Sequence, residues 1–218
     1  MESYGWNWVD LTGGAREPDE LHMQRDEALL SEVEQGIAQP TVRCYTWERA
    51  SLTIGRLQDE RAARAEFENL SVYRRPTGGK AVRHESDLTI AVAARHDALA
   101  EARCAGGVLS EYRLLVAPVC LALARFGISA QCGNNDLSRT GKNTSADCFA
   151  LAARCDVIDA ERGIKIMGSA MRRTATAVLV QMSLRPQPTC DILGHGFLDE
   201  LRAQYARYLN IGHWKVAA

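Results

Sequence analysis

Apolar positions along the 218-residue chain recur with two periods, and the switches between them mark out helices and strands. Pro18 and Asp19 open a helix that runs to about Val33, with Leu21, Ala28, Leu29 and Val33 on one face and Gly36 as its stop. Residues 42–47 and 51–55 are short and rich in β-branched and aromatic side chains, which predicts strands. Residues 58–68 form a mostly polar helical pattern suited to the surface. Strands follow at 70–75 and 88–93, separated by a Pro-Thr-Gly-Gly breaker. The longest helical pattern is 109–126, where Leu109, Tyr112, Leu115, Val116, Val119, Leu123 and Phe126 share a face; Pro118 interrupts it with an expected kink, and Gly127 follows as a stop. Residues 133–146 are polar and turn-rich and read as an exposed loop. Three more strands are predicted at 155–158, 165–172 and 174–184, the first two joined by a turn at Gly163, and a last helix at 199–209. Strands interspersed with helices predict an α/β (α+β) fold built on a mixed sheet. No repeat or linker divides the chain, so 1–218 reads as one domain.

Composition narrows the function classes. Hydrophobic residues are 46% and charged residues 24%, ordinary values for a folded domain. The 26 basic and 27 acidic residues nearly cancel, so no bulk field points to nucleic acid or a membrane surface. No apolar run has the length of a membrane span, and the first residues do not pattern as a signal peptide. Seven cysteines, odd in number and without a CxxC pair, suit a reduced cytoplasmic protein better than a disulfide scaffold or zinc site. Such cysteines are usually small buried hydrophobes, so a reactive one needs a specific reason.

Chemistry concentrates in residues 74–84, RRPTGGKAVRH. Arg74 and Arg75 end a strand, Thr77, Gly78 and Gly79 make a tight turn, and Lys80, Arg83 and His84 follow. Glycines let backbone N–H groups approach an anion or carbonyl closely, and clustered cations suit a phosphate or the phosphopantetheine arm of an acyl carrier. A solvated hairpin turn with scattered charge is the competing reading.

This run resembles the RRxTGGxxVxH signature of the lipoate-protein ligase and octanoyltransferase family. The preceding TWERASLTIGRLQDE (46–60) is similar to the family's W-x-x-x-x-[LV]-x-[IV]-G-x-x-Q segment, and DEALL (26–30) to the helix before it. GIKIMGSAMRR (163–173) resembles G-x-K-[IV]-x-G-S-A-x-x-R, which adds Gly168, Ser169 and Ala170 to the substrate-binding set. The four matches keep the family's order. The resemblance implies a biotin/lipoyl ligase-type catalytic domain, a mixed β-sheet flanked by helices.

Family membership leaves two chemistries. Ligases activate lipoate with ATP and Mg; transferases take octanoyl from acyl carrier protein, hold it on a cysteine and pass it to a lysine of a lipoyl-domain or glycine-cleavage H-type protein, with no cofactor. SADCFA (145–150) is similar to the CF element of LipM-type octanoyltransferases. That match implies Cys148 as the nucleophile and Lys165 as the lysine that assists it. A thiol of ordinary pKa near 8.5 is mostly protonated at neutral pH, and a neighbouring ammonium favours the thiolate. N–H groups near Gly78, Gly79 or Gly168 would stabilise the oxyanion. Read without the resemblance, Cys148 is one more buried thiol and Lys165 the outward position of an alternating strand. Cys155 and Lys142 match no motif position. Lys80, where many ligases carry a third glycine, favours transfer over adenylation. Gln181 and Met182 stand where many relatives have His-Gly, which motivates a non-catalytic carrier-binding relative as an alternative. A biotin-protein ligase is disfavoured by the missing GRGR-x-G-R motif.

Overall fold

The computed structural model describes residues 5–13, 17–101, 107–133, 145–150, 152–153 and 155–217. The N-terminal half begins with strand β1 (Trp6–Leu11), helix α1 (Asp19–Glu34), strands β2 (Thr41–Tyr45) and β3 (Ser51–Ile54), and helix α2 (Glu60–Glu66). Strands β4 (Ser71–Arg74), β5 (Val82–His84) and β6 (Leu88–Arg95) follow, then helices α3 (His96–Glu101) and α4 (Val108–Arg125). The C-terminal part holds β7 (Ala130–Cys132), a 3-10 turn at Cys148–Ala150, β8 (Val157–Asp159), β9 (Ile164–Arg173), β10 (Ala177–Leu184), α5 (His195–Tyr208) and β11 (Trp214–Ala217).

Eight strands form one mixed sheet in the order β11-β1-β2-β6-β10-β9-β8-β7, parallel from β11 to β2 and antiparallel beyond. A second sheet, β4-β3-β5, carries the segment that precedes the glycine pair. This is the mixed-sheet α+β architecture expected from the sequence.

Period-2 alternation on the central strands explains the layers. Val178, Val180, Met182 and Leu184 of β10, with Leu88, Ile90 and Val92 of β6, pack into one core with α4 and α5. The opposite face carries Ala177, Leu179, Ala91 and Ala93, which pack against Met23, Leu30 and Val33 of α1. Farther along that second face the apolar series gives way to Gln181, Ser183 and Thr89, all buried. A buried sheet face that turns polar needs partners for those groups, and the candidate site lies there.

Predicted and observed elements differ in physically explicable ways. Helix α4 continues through Pro118, which packs in the core of the helix face. β8 starts at 157 rather than 155 because Cys155 has φ +67 and belongs to a turn. β10 starts at Ala177 because Thr174 turns back onto the Ala177 carbonyl. Strands β1, β5, β7 and β11 and helix α3 were not anticipated. They are three to six residues long, too short to show a period, and the strands owe their structure to pairing with neighbours. The polar loop lies outside the described residues from 134 to 144. Among the described residues, no helix is long and apolar enough to cross a membrane.

Candidate active site

Cys148 is placed by backbone pairing with the residue that follows the Gly-Gly-Lys turn. Ala81 donates its N–H to the Ala146 carbonyl at 2.8 Å and accepts the Cys148 N–H at 2.7 Å. The Asp147 carboxylate accepts the Phe149 N–H at 2.9 Å, a local side-chain cap of the kind aspartate favours at tight turns. The thiol is half-buried as a result, while Cys155 is fully buried.

Lys165, on β9, reaches this turn. Its Nζ lies 3.3 Å from Cys148 Sγ, donates to the Cys148 carbonyl at 2.6 Å and pairs with Asp156 Oδ2 at 2.7 Å. Both side chains of the pair are buried, at 4% and 2% exposure. Asp156 also accepts the Ala153 N–H at 2.6 Å and the Ser169 N–H at 3.1 Å. Burial pushes its carboxyl above the usual range against the pull of Lys165 and these donors. Two cations lie over the Phe149 ring, with Arg185 Cζ 4.2 Å and Lys165 Nζ 5.0 Å from its centroid. Gly168 faces the sulfur. A Cβ there would stand 3.3 Å from Cys148 Sγ and 3.4 Å from both Lys165 and Phe149.

Beside the sulfur opens a narrow slot with a cavity volume of about 30 Å³, partly open to solvent and lined by Cys148, Gly168, Ala170, Gln181, Met23 and Val82 among others. One wall is held by His84, whose Nδ1 lies 2.8 Å from Asp87 and whose Nε2 lies 2.8 Å from the Thr53 hydroxyl. Burial opposes charge on Asp87, but His84, the Ser183 hydroxyl and Arg185 outweigh it and hold the carboxyl at about 2. The other end is held by Gln181, whose carbonyl accepts from Thr77 at 2.7 Å and whose amide donates to Asp26 at 2.7 Å. Asp26 in turn accepts from Arg43 and from the Tyr45 hydroxyl.

The basic run is engaged with the protein's own backbone. Arg75 is 5% exposed and donates to the carbonyls of Thr53, Gly78 and Lys80. Arg74 donates to those of Gly55, Arg56 and Gln58. These guanidinium groups tie the glycine turn to β3 and the segment after it rather than presenting a bare cationic face. Lys80 donates to the Ser145 carbonyl and so fastens the turn to the segment before Cys148; Arg83 points outward and pairs with Glu85 at 3.2 Å. Gly79 has φ +91, a conformation costly for any side chain, and a Cβ on Gly55 would fall 2.0 Å from the Gly79 oxygen. Gly78 and Gly79 line a separate, wider groove with Arg56, Met171, Arg172 and Arg173.

Of the residues singled out in the sequence, Cys148, Arg75, His84, Gly168, Ser169 and Ala170 line the slot, and Lys165 and Thr77 touch its lining. Arg74, Gly78, Gly79 and Lys80 do not line it. Lys142 lies outside the described residues. Sequence reasoning missed Asp156, Asp26, Asp87 and Arg185. The available signal was an acidic residue inside an apolar stretch, as in CDVID and SDLTIAV, where a buried carboxylate needs a partner.

Comparison with known proteins agrees with this fold. Residues 19–197 match the family described as the lipoyl protein ligase A/B catalytic domain. The chain is 32% identical over 214 residues to an octanoyltransferase LipM of Exiguobacterium sp., covering 93% of this chain and 75% of that one. It is 30% identical to octanoyltransferase LipM of Moorella thermoacetica and 33% identical to that of Carboxydothermus hydrogenoformans, covering 81% and 72% of this chain. The chain spans 64% and 57% of the length of those two relatives. Among solved structures, lipoate-protein ligase A bound with ATP superposes with a TM-score of 0.70 at 19% identity, covering 99% of this chain and 90% of that one. A bi-partite lipoate protein ligase from Thermoplasma acidophilum gives 0.65 at 17%, covering 99% and 88%. At these identities the two structures speak for the fold. With the family match running across most of the sequence, the slot beside Cys148 and Lys165 belongs to a member of the lipoyl protein ligase A/B catalytic-domain family.

Proposed function

We infer that the chain is an octanoyltransferase of lipoate biosynthesis. It moves an octanoyl group from acyl carrier protein to a lysine of a lipoyl-domain or H-type acceptor through a thioester on Cys148. The observation that carries this is the 3.3 Å approach of Lys165 Nζ to Cys148 Sγ, whose residue lines the slot, supported by relatives of about 30% identity named octanoyltransferase LipM.

In the first half-reaction the Cys148 thiolate attacks the carbonyl carbon of the donor thioester. A C–S bond to Cys148 forms, the bond to the carrier's sulfur breaks, and the carrier leaves as a thiol with the proton Cys148 gave up. In the second, a neutral acceptor amine attacks the same carbon. The C–N bond forms, the C–S bond to Cys148 breaks, and the amine's proton returns to the departing sulfur. Lys165 places a positive charge beside the sulfur, where anionic charge develops in both steps. Asp156 holds that ammonium against β9, and Gly168 leaves room for the carbonyl; its backbone lies nearer the sulfur than the Gly78–Gly79 pair, which lines the other groove. A thioester conserves the acyl group's energy, so neither half-reaction calls for nucleotide or metal.

The test is intact mass after incubation with octanoyl-carrier protein, without ATP. Wild type gains one octanoyl group that hydroxylamine removes, and Cys148→Ala gains none. Peptide mapping is part of the test, because the hydrogen bond from Cys120, against the effect of burial, holds the Cys132 thiol below its ordinary range. An adduct that maps to Cys132, or acyl transfer that needs ATP and survives Cys148→Ala, would rule the reading out.

A further inference from the structure

The slot is lined by both Cys148 and Gln181. Gly168, which faces Cys148 Sγ, pairs with Ser183 across the sheet. Gln181 is two residues farther along β10 on the same face, and diagonal neighbours of this kind lie about 7–8 Å apart. Its amide is not free to turn. Thr77 Oγ1 donates to one end at 2.7 Å, and the other end donates to Asp26 at 2.7 Å with Met23 Sδ at 3.6 Å. Thr77, Asp26, Met23 and Gln181 are all buried, and Asp26 is fixed from behind by Arg43 and Tyr45. Breaking such buried hydrogen bonds strands polar groups away from water, which is unfavourable.

We propose that Gln181 is the end stop of the acyl slot and sets the longest chain that Cys148 can carry, a specificity that rests on the transferase reading above. A C–C bond of about 1.5 Å advances an extended chain by roughly 1.3 Å, so the methyl end of an octanoyl group lies about 9 Å from its carbonyl carbon. That brings it level with Gln181. A longer chain has to buckle or push the amide off Thr77 and Asp26. The corner beside His84 and Thr89 offers no exit for an alkyl tail, because it ends on the ionised carboxylate of Asp87 and its hydroxyl partners. Truncating Gln181 opens space between Thr77 and Met23, in line with the slot.

The experiment compares hexanoyl-, octanoyl- and dodecanoyl-carrier protein as donors to wild type, Gln181→Ala and Gln181→Asn, reading the rate of Cys148 acylation by mass. Wild type should take hexanoyl and octanoyl and accept dodecanoyl at least about tenfold more slowly, the factor that 1.4 kcal/mol supplies. Gln181→Ala should bring dodecanoyl close to octanoyl, with Gln181→Asn between them; melting curves identify any variant that fails to fold, and the milder one then carries the test. A chain-length profile that is the same in all three proteins overturns the end stop. Binding of free octanoate and dodecanoate to Cys148→Ala, with and without the Gln181 changes, separates the two claims. Length-selective binding that relaxes in the Gln181 variants, with no acylation of wild type, sinks the transferase reading and keeps the end stop. Acylation without any change in selectivity does the reverse, and neither acylation nor selective binding sinks both.

Discussion

Replacing Lys165 by Met or Asp156 by Asn should each destabilise the fold, and replacing both should restore most of the loss. The two groups are 2.7 Å apart and almost fully buried. At that distance, with an effective dielectric constant near 20, their attraction is about 6 kcal/mol. Burying each ion costs several kcal/mol, so the pair as a whole is close to neutral for stability. Removing one partner strands the other charge and costs about 3–5 kcal/mol. Asp156→Asn loses a little more, because one amide oxygen cannot serve both the Ala153 and Ser169 N–H groups that the carboxylate accepts. For a chain of this size each kcal/mol moves the melting temperature by about 2–4 °C, so either single variant should melt roughly 6–20 °C early. Urea unfolding followed by tryptophan fluorescence closes the cycle, and a coupling of at least about 2 kcal/mol is expected. Single costs below about 1 kcal/mol, or costs that simply add, would refute the view that Lys165 is held as a charged, buried group beside the sulfur.

Two further outcomes follow from the same structure. Gly55→Ala places a methyl 2.0 Å from the Gly79 oxygen, so the glycine turn must move; urea titration should show a loss of about 1–3 kcal/mol or more, and stability equal to wild type would mean the turn is not packed as described. Burial, and then Arg43, hold the His22 ring at about 4 against an ordinary 6.5, so between these values the unfolded chain binds a proton that the folded chain does not. Stability from this group is therefore complete above about pH 6.5 and falls toward pH 4, by up to about 3 kcal/mol. Comparing wild type with His22→Gln at pH 7 and pH 4.5 checks it: the variant should lose less, and parallel losses would remove His22 as the cause.

Most of the scaffold was legible in the sequence because its central elements are long enough to show a period. Helix α4 and strands β6, β9 and β10 each repeat an apolar position several times. In α1 the expected face of Leu21, Ala28, Leu29 and Val33 was misplaced, because the helix buries Asp19, His22, Met23, Asp26, Leu30 and Val33 and leaves Ala28 exposed. Strands β5 and β7 have three residues each, so nothing repeats, and their existence is decided by the partner that hydrogen-bonds them. The site divides the same way. Cys148, Lys165 and the Gly168–Ala170 segment were found through ordered motifs, whereas composition and periodicity made the thiol and the lysine look ordinary. Arg75 stood out by charge, but charge does not tell an anion ligand from a guanidinium that gathers three carbonyls; only the folded turn decides. Asp26 and Gln181 are 155 positions apart, and neither shows by itself that the other will complete it.

The backbone exchange between Ala81 and the 146–148 segment ties the sulfur to the small sheet, whereas the amine is carried by the large one. Their separation therefore gauges how the two layers are seated on each other. A change that tilts one layer by an ångström, made at Gly55 or at Val33 of α1, neither of which lines the slot, alters that spacing while leaving both side chains intact. Loss of transfer activity with every participating residue present is the expected phenotype of such packing changes.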